Sequence, residues 1–136
     1  MQPLLLDTHA AIWLVRGDLI AAASATMDEA ARTGAATFVS PITAWEVGLL
    51  VSLDRISLGI APQRWFARLL GLPGMRLAEL SPDILIASSF LPGKPPRDPA
   101  DRIILATARD LGATLITRDR ALLAYGEEGN VSVAAC

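Results

Sequence analysis

Cysteine, histidine and lysine are almost missing from this chain. Its 136 residues hold one cysteine, Cys136, at the last position, so no disulfide framework can staple the fold. There is one histidine, His9, and one lysine, Lys94. Aromatic residues make up only 5%. No apolar run approaches the roughly 20 residues that a bilayer span needs. The opening MQPLLLD has neither a basic n-region nor a long h-region, so it does not read as a secretory signal. A cytoplasmic protein with no membrane segment is the simple expectation. No internal repeat or low-complexity tract is visible. An excess of positive charge is absent too: 12 basic residues stand against 14 acidic ones, for a net charge of −2. That balance is unusual for a protein whose whole surface grips nucleic acid. It leaves room for a local basic rim around an acidic site. Eleven of the 12 basic residues are arginine, which suits bidentate phosphate contacts or reflects coding bias.

What is abundant is apolar character. Apolar residues reach 52%, charged residues 19%, and mean hydropathy is +0.42. Such richness in a chain of this size suggests a sheet covered on both faces, a large oligomer interface, or both. The length suits one compact domain, 1–136, able to bury a core without staples.

Strand and helix patterns alternate. Leu4–Leu6 reads as a strand, Thr8–Val15 as a helix, and the alanine-rich Leu19–Thr33 as another helix stopped by Gly34. TFVS (37–40) reads as the second strand. Pro41–Ser52 and Pro62–Leu70 read as helices that open on proline. Arg76–Leu80 reads as a short edge strand. Ser81–Phe90 reads as a helix opened by Ser-Pro-Asp. LPGKPPRDP (91–99) is a loop before the clearest helix, Pro99–Leu111, which Asp98 caps and Gly112 stops. Ala113–Thr117 and Asn130–Ala134 complete the strands. Alternation of this kind predicts an α/β fold, with a central parallel sheet of about four to five strands and helices on both faces. Sites in such sheets form beyond the carboxyl ends of the strands.

Four acidic tags fall where they would meet at that rim. Asp7 follows three leucines directly, and its plain reading is a helix N-cap. Glu46 lies in TAWEV on a helix where Ile42, Leu49 and Leu50 surround it at i±3 and i±4, so a solvated face does not explain it. Asp98 and Asp101 are three apart and share a helix face; capping suits Asp98, and a first-turn acid facing the dipole suits Asp101. Asp119 follows TLIT between Arg118 and Arg120, and alone reads as a turn aspartate in a surface ion pair. Two such charges about 5 Å apart repel by roughly 3 kcal/mol at an effective dielectric near 20. A cluster of four therefore needs protons or cations. With no matching lysines, oxygen ligands on an open rim suit Mg²⁺ or Mn²⁺, which stabilises charge on a phosphodiester. The hydroxyls of Thr8, Ser40 and Thr117 lie near these acids or at strand ends, where they could orient a carboxylate or simply cap. His9 reads as an ordinary satisfied side chain rather than a ligand or base.

These tags resemble the PIN domain, in particular the VapC-like toxins of toxin–antitoxin pairs. LLLDTHAAIWL is similar to the family's first acid motif, SPITAWEVGLLV to its second, LPGKPPRDPADRIILATA to its third and ATLITRDRALLAYG to its fourth. The resemblance runs along nearly the whole chain. It implies a three-layer α/β/α fold and Mg²⁺- or Mn²⁺-dependent cleavage of RNA, with Asp7, Glu46, Asp101 and Asp119 as catalytic and metal-binding residues. It also implies a homodimer neutralised by a cognate antitoxin. Asp98 is an extra acid beside the third motif. Leu50 stands where the family often carries a lysine, four residues past the second acid.

Two other readings stand beside it. One is a degenerate PIN module that only binds RNA or protein. The other is an aspartyl phosphotransferase with Asp7 as nucleophile. Against the latter, His9 occupies the position where a haloacid-dehalogenase phosphatase needs its second acid. Thr117-Arg118 also supplies no receiver-type lysine. Among the large aromatics, Trp13, Trp45, Trp65 and Phe66, core packing is the plain expectation. The stretch around Trp65 and Phe66, flanked by Arg64 and Arg68, could instead form a groove for an antitoxin helix or a second subunit.

Overall fold

Among the described residues, five short strands and seven helices alternate along the chain. The structure, a computed structural model, describes residues 2–136. The strands are β1 (Leu4–Leu6), β2 (Thr37–Val39), β3 (Met75–Leu77), β4 (Thr114–Thr117) and β5 (Ser132–Ala135). The helices are α1 (Thr8–Arg16), α2 (Ala21–Arg32), α3 (Pro41–Ser52), α4 (Pro62–Leu70), α5 (Pro82–Ala87), α6 (Pro99–Leu111) and α7 (Arg120–Glu127). Every strand pair is parallel, in the order β3-β2-β1-β4-β5. The chain builds outward from β1 through β2 to β3, then returns to the other side of β1 for β4 and β5. The order therefore switches between β1 and β4, the place where a doubly wound sheet opens a crevice beyond its carboxyl ends.

The pleat decides which side chains go to which layer. Leu4, Leu6, Val39 and Ile116 point to one face, where they pack with Ala10, Ala11 and Ile12 of α1, Ala23 and Ala30 of α2, Val47 of α3, and Trp65 and Leu69 of α4. Leu5 and Leu115, one residue out of phase, point to the opposite face and meet Ile104, Leu105 and Ala108 of α6 with Leu122 and Tyr125 of α7. Leu5, Leu6, Leu115 and Ile116 are fully buried. β1 and β4 are thus apolar on both sides, as a parallel strand between two helical layers must be. The expected three-layer α/β/α fold with a parallel sheet is borne out. Among the described residues no single helix is long and apolar enough to cross a membrane.

Two sequence expectations change. α7 falls in a stretch that carried no expected element. It is only eight residues long and contains Gly126, which weakens a helical pattern. The glycine is required by packing, because a Cβ there would lie 2.2 Å from Cγ2 of Val133 on β5. The helix expected over Ser81–Phe90 stops at Ala87, leaving Phe90 78% exposed. Strand three lies at the edge as expected, pairing only with β2, and runs Met75–Leu77. Trp65 goes to the core, whereas Trp45 stands 59% exposed on α3.

Candidate active site

The acids arrive at the crevice as helix caps. Asp7, the residue after β1, caps α1: its Oδ1 accepts from Ala10 N at 2.7 Å. Asp119, two residues past β4, caps α7 by accepting from Ala121 N at 2.8 Å and Leu122 N at 3.1 Å through the same Oδ1. Asp98 caps α6 by accepting from Asp101 N at 3.0 Å. In each case the demand of a helix start for an acceptor fixes where the carboxylate stands. Glu46 and Asp101 sit within the first two turns of α3 and α6. All five, Asp7, Glu46, Asp98, Asp101 and Asp119, line one cavity of about 380 Å³.

Neighbouring hydroxyls hold two of these acids in place. Thr117 Oγ1, at the end of β4, donates a hydrogen bond to Asp7 Oδ2 and accepts from Asp119 N at 3.0 Å. Thr8 Oγ1 donates to Glu46 Oε1 at 2.6 Å and contacts Thr43 Oγ1 at 3.1 Å. Ser40 goes elsewhere. Its Oγ accepts from Ile42 N to cap α3, and it is not part of the cavity wall. The proline-rich loop that delivers Asp98 and Asp101 is strapped down at three points. Tyr125 Oη donates to Pro92 O at 2.6 Å, Lys94 N to Glu128 Oε1 at 3.0 Å, and Arg102 Nε to Pro96 O at 2.6 Å. Two of the straps come from α7 and its C-cap, so the unanticipated helix places the third acid motif as well as the fourth.

Charge in this cavity is left unbalanced. Asp101 meets no hydrogen-bond donor and no cation among the described residues. Burial pushes its carboxyl up from 3.8 to about 7, and the charges of Asp98, Asp119, Glu46 and Asp7 all push the same way. Burial also raises Asp7, which is only 6% exposed, against the opposing hydrogen bonds from Thr117 and Ala10. Glu46 is raised by burial in part offset by Thr8, with Asp98 adding to the rise. Among the described residues the one ion pair joins Arg32 to Glu29 on α2, outside this cavity. The surface ion pair expected at Asp119 does not form.

The donor set suits a hard divalent cation: carboxylate oxygens only, on an open rim, with charge that no ion pair among the described residues neutralises. The side chains do not, however, form a ready-made metal-binding group of three among the described residues. Asp7, Glu46 and Asp119 are each turned toward protein donors, so the arrangement is a shared cavity rather than a closed cage.

The rest of the wall includes His9, which the sequence reading sets aside, and Trp13 and Arg118, to which it gives no place in the site. His9 and Trp13, one turn apart on α1, meet in a tilted contact with ring centroids 5.7 Å apart. The Arg118 guanidinium carbon lies 3.6 Å from the centroid of the Trp13 ring. All three line the cavity. The spacing of His9 and Trp13 at i, i+4 could have shown that they share a face. Nothing local in the chain connects Arg118 to Trp13.

A doubly wound parallel sheet with unneutralised acids at its switch point belongs to the three-layer α/β/α class in which ligands bind beyond the strand ends. A family model described as the PIN domain matches residues 4–128, and the chain belongs to that family. It is 33% identical over 135 residues to a protein of Mycobacterium tuberculosis named Ribonuclease VapC22, covering 98% of this chain and 99% of that one. Among solved structures, VapBC2 from Rickettsia felis, bound to a promoter DNA fragment, is similar with a TM-score of 0.70 at 13% identity, covering 98% of both chains. DNA-bound VapBC from Salmonella typhimurium is similar with a TM-score of 0.67 at 18% identity, covering 99% of this chain and 98% of that one. At those identities the likeness is one of fold.

Proposed function

We propose that this protein is a Mg²⁺- or Mn²⁺-dependent endoribonuclease and the toxin of a toxin–antitoxin pair. One observation carries the reading. Five carboxylates share a cavity in which no cation among the described residues pairs with them, and burial, together with the charge of its four neighbours, pushes Asp101 to about 7. A fold that merely needed helix caps would not gather the caps of three helices and two further acids at one point. Kinship to a protein named a ribonuclease supplies the substrate class.

Asp7, Glu46, Asp101 and Asp119 would hold the metal. When bound, it supplies Lewis-acid stabilisation of phosphodiester charge and a lowered water pKa. Thr117 orients Asp7, Thr8 orients Glu46, and Asp98 sets the start of α6 that carries Asp101. Partners are an RNA substrate, a cognate antitoxin protein and a second copy of the chain. Apolar side chains left exposed on α3 (Trp45, Leu49) and around α5 (Leu85, Ile86, Phe90) provide surface for the protein partners. Such a toxin acts in the cytoplasm, where one unpaired cysteine is at home.

The test is cleavage of a structured RNA pool by purified protein with Mg²⁺, with Mn²⁺ and with EDTA, beside Asp101→Asn. Metal-dependent cutting that the variant loses is expected. That no three side chains among the described residues form a ready-made metal group favours a second reading, a PIN module that only binds. Folded protein that neither cuts RNA nor takes up either metal would establish that second reading.

A further inference from the structure

We propose that Arg118 is the substrate-phosphate contact of this site and that Trp13 is its positioning residue. The inference rests on the ribonuclease reading above. Of the residues that line the carboxylate cavity, Arg118 is the sole arginine or lysine. An arginine beside five carboxylates would ordinarily be drawn onto one of them. This one is not: among the described residues it pairs with none of the five. Its Nε donates to the backbone oxygen of Cys136 at 3.0 Å. Its Nη2 donates to the same oxygen and, at 3.4 Å, to the carbonyl of Asp18. The Trp13 ring covers one face of the guanidinium at 3.6 Å.

A long, flexible cation is thus held at the edge of an acidic cavity by a ring and two backbone oxygens. Those anchors sit in α1, the turn after it, and the residue following β5. They use two of the guanidinium nitrogens and leave Nη1 without an acceptor among the described residues. Arginine presents five N–H donors in a planar fork that matches phosphate oxygens. An RNA chain brings a negative charge at every nucleotide toward carboxylates that repel it. A cation that the carboxylates have not consumed offers a backbone phosphate next to the scissile one its counter-charge. Trp13 earns its place by holding the fork off the acids before substrate arrives.

Steady-state cleavage of an RNA pool with Mn²⁺, measured across a range of KCl concentrations, tests this. R118Q is expected to raise KM about tenfold and leave kcat within about twofold. It should also flatten the log–log dependence of kcat/KM on salt by about 0.7, the value for one phosphate contact on a single strand. R118K keeps the charge and the salt slope but loses the fork, so its KM should rise at least about threefold. W13L should raise KM in the wild-type background and add nothing to R118Q, since it acts through Arg118. A role confined to anchoring Cys136 would lower Tm and leave the salt slope alone. If R118Q does not fold, R118K decides, and a wild-type KM in that variant overturns the proposal. Wild type that cuts RNA while folded R118Q keeps its KM and slope sinks only this inference. Folded wild type that cuts nothing removes the ribonuclease reading and this one together.

Discussion

The two ends of the sheet both carry a cavity, and they differ in kind. At the amino end, one of about 480 Å³ is lined by Gln2, Arg109, Gly112, Asn130 and Ser132 among others. No carboxylate is among its lining residues, and its one cation, Arg109, donates to the Asn130 carbonyl. At the carboxyl end a cavity of similar size, about 380 Å³, gathers five carboxylates and leaves Asp101 with no partner among the described residues. Room alone does not make a site. Charge that the fold assembles and declines to neutralise does, because only a ligand from outside can settle it.

The sharpest way to break the comparison is to remove that charge. Asp101→Asn is expected to lower metal-dependent RNA cleavage by more than about 100-fold, beyond the 10–100-fold typical of a residue that only orients a metal ligand. Thr117→Val tests that orienting class directly. It strips a donor from buried Asp7 and should lower cleavage by about 10–100-fold and stability by about 1–3 kcal/mol, read by kinetics and urea titration.

Next comes pH. Metal must displace the proton that Asp101 holds up to about pH 7. Mn²⁺ binding followed by calorimetry should therefore tighten roughly tenfold from pH 6 to pH 8 in the wild type, from the proton held at Asp101, and change far less in Asp101→Asn. Without metal the sign reverses for stability. Between the ordinary 3.8 and about 7 the folded protein binds the proton and the unfolded chain does not, so stability falls as pH rises through that window. Asp101→Asn should consequently be more stable than wild type at pH 8 by roughly 1–2 kcal/mol after allowance for solvent screening, with the gain gone below the ordinary carboxylate range. Thermal unfolding in EDTA measures it, and equal Tm values at pH 8 would show that Asp101 is not a strained charge. At the amino end, Ser132→Ala should leave cleavage within about twofold and stability within about 0.5 kcal/mol, as an exposed position away from special features does.

Much of this was legible in the chain because parallel strands and capped helices leave local marks. Three leucines before Asp7, proline after Ser40, Ser81 and Asp98, and glycine after Leu111 set element edges by rules that act over a few residues. Expected and observed bounds there agree closely. The acids at Asp7, Glu46, Asp98, Asp101 and Asp119 were legible for the same reason, since each stands at a strand end or in an early helical turn. What local marks could not carry was contact across the fold. Gly126 looked like a helix breaker because Val133, which demands it, is seven residues on and in another layer. Ser40 looked like a supporting hydroxyl because it ends a strand, yet its capping bond turns it from the crevice. Arg118 looked like a partner for Asp119, whereas Trp13 and Cys136, more than a hundred residues from each other in sequence, hold it elsewhere.

That three of the acids double as helix caps has a genetic consequence. Asparagine accepts the same backbone hydrogen bonds as aspartate and carries no charge. Aspartate codons become asparagine codons by a single transition at the first base. At Asp7 and Asp119 one such base change would therefore leave the helix starts intact while emptying the crevice of a charge. A lineage that carries this chain can silence it in one mutational step without unfolding it, and can restore it by the reverse step.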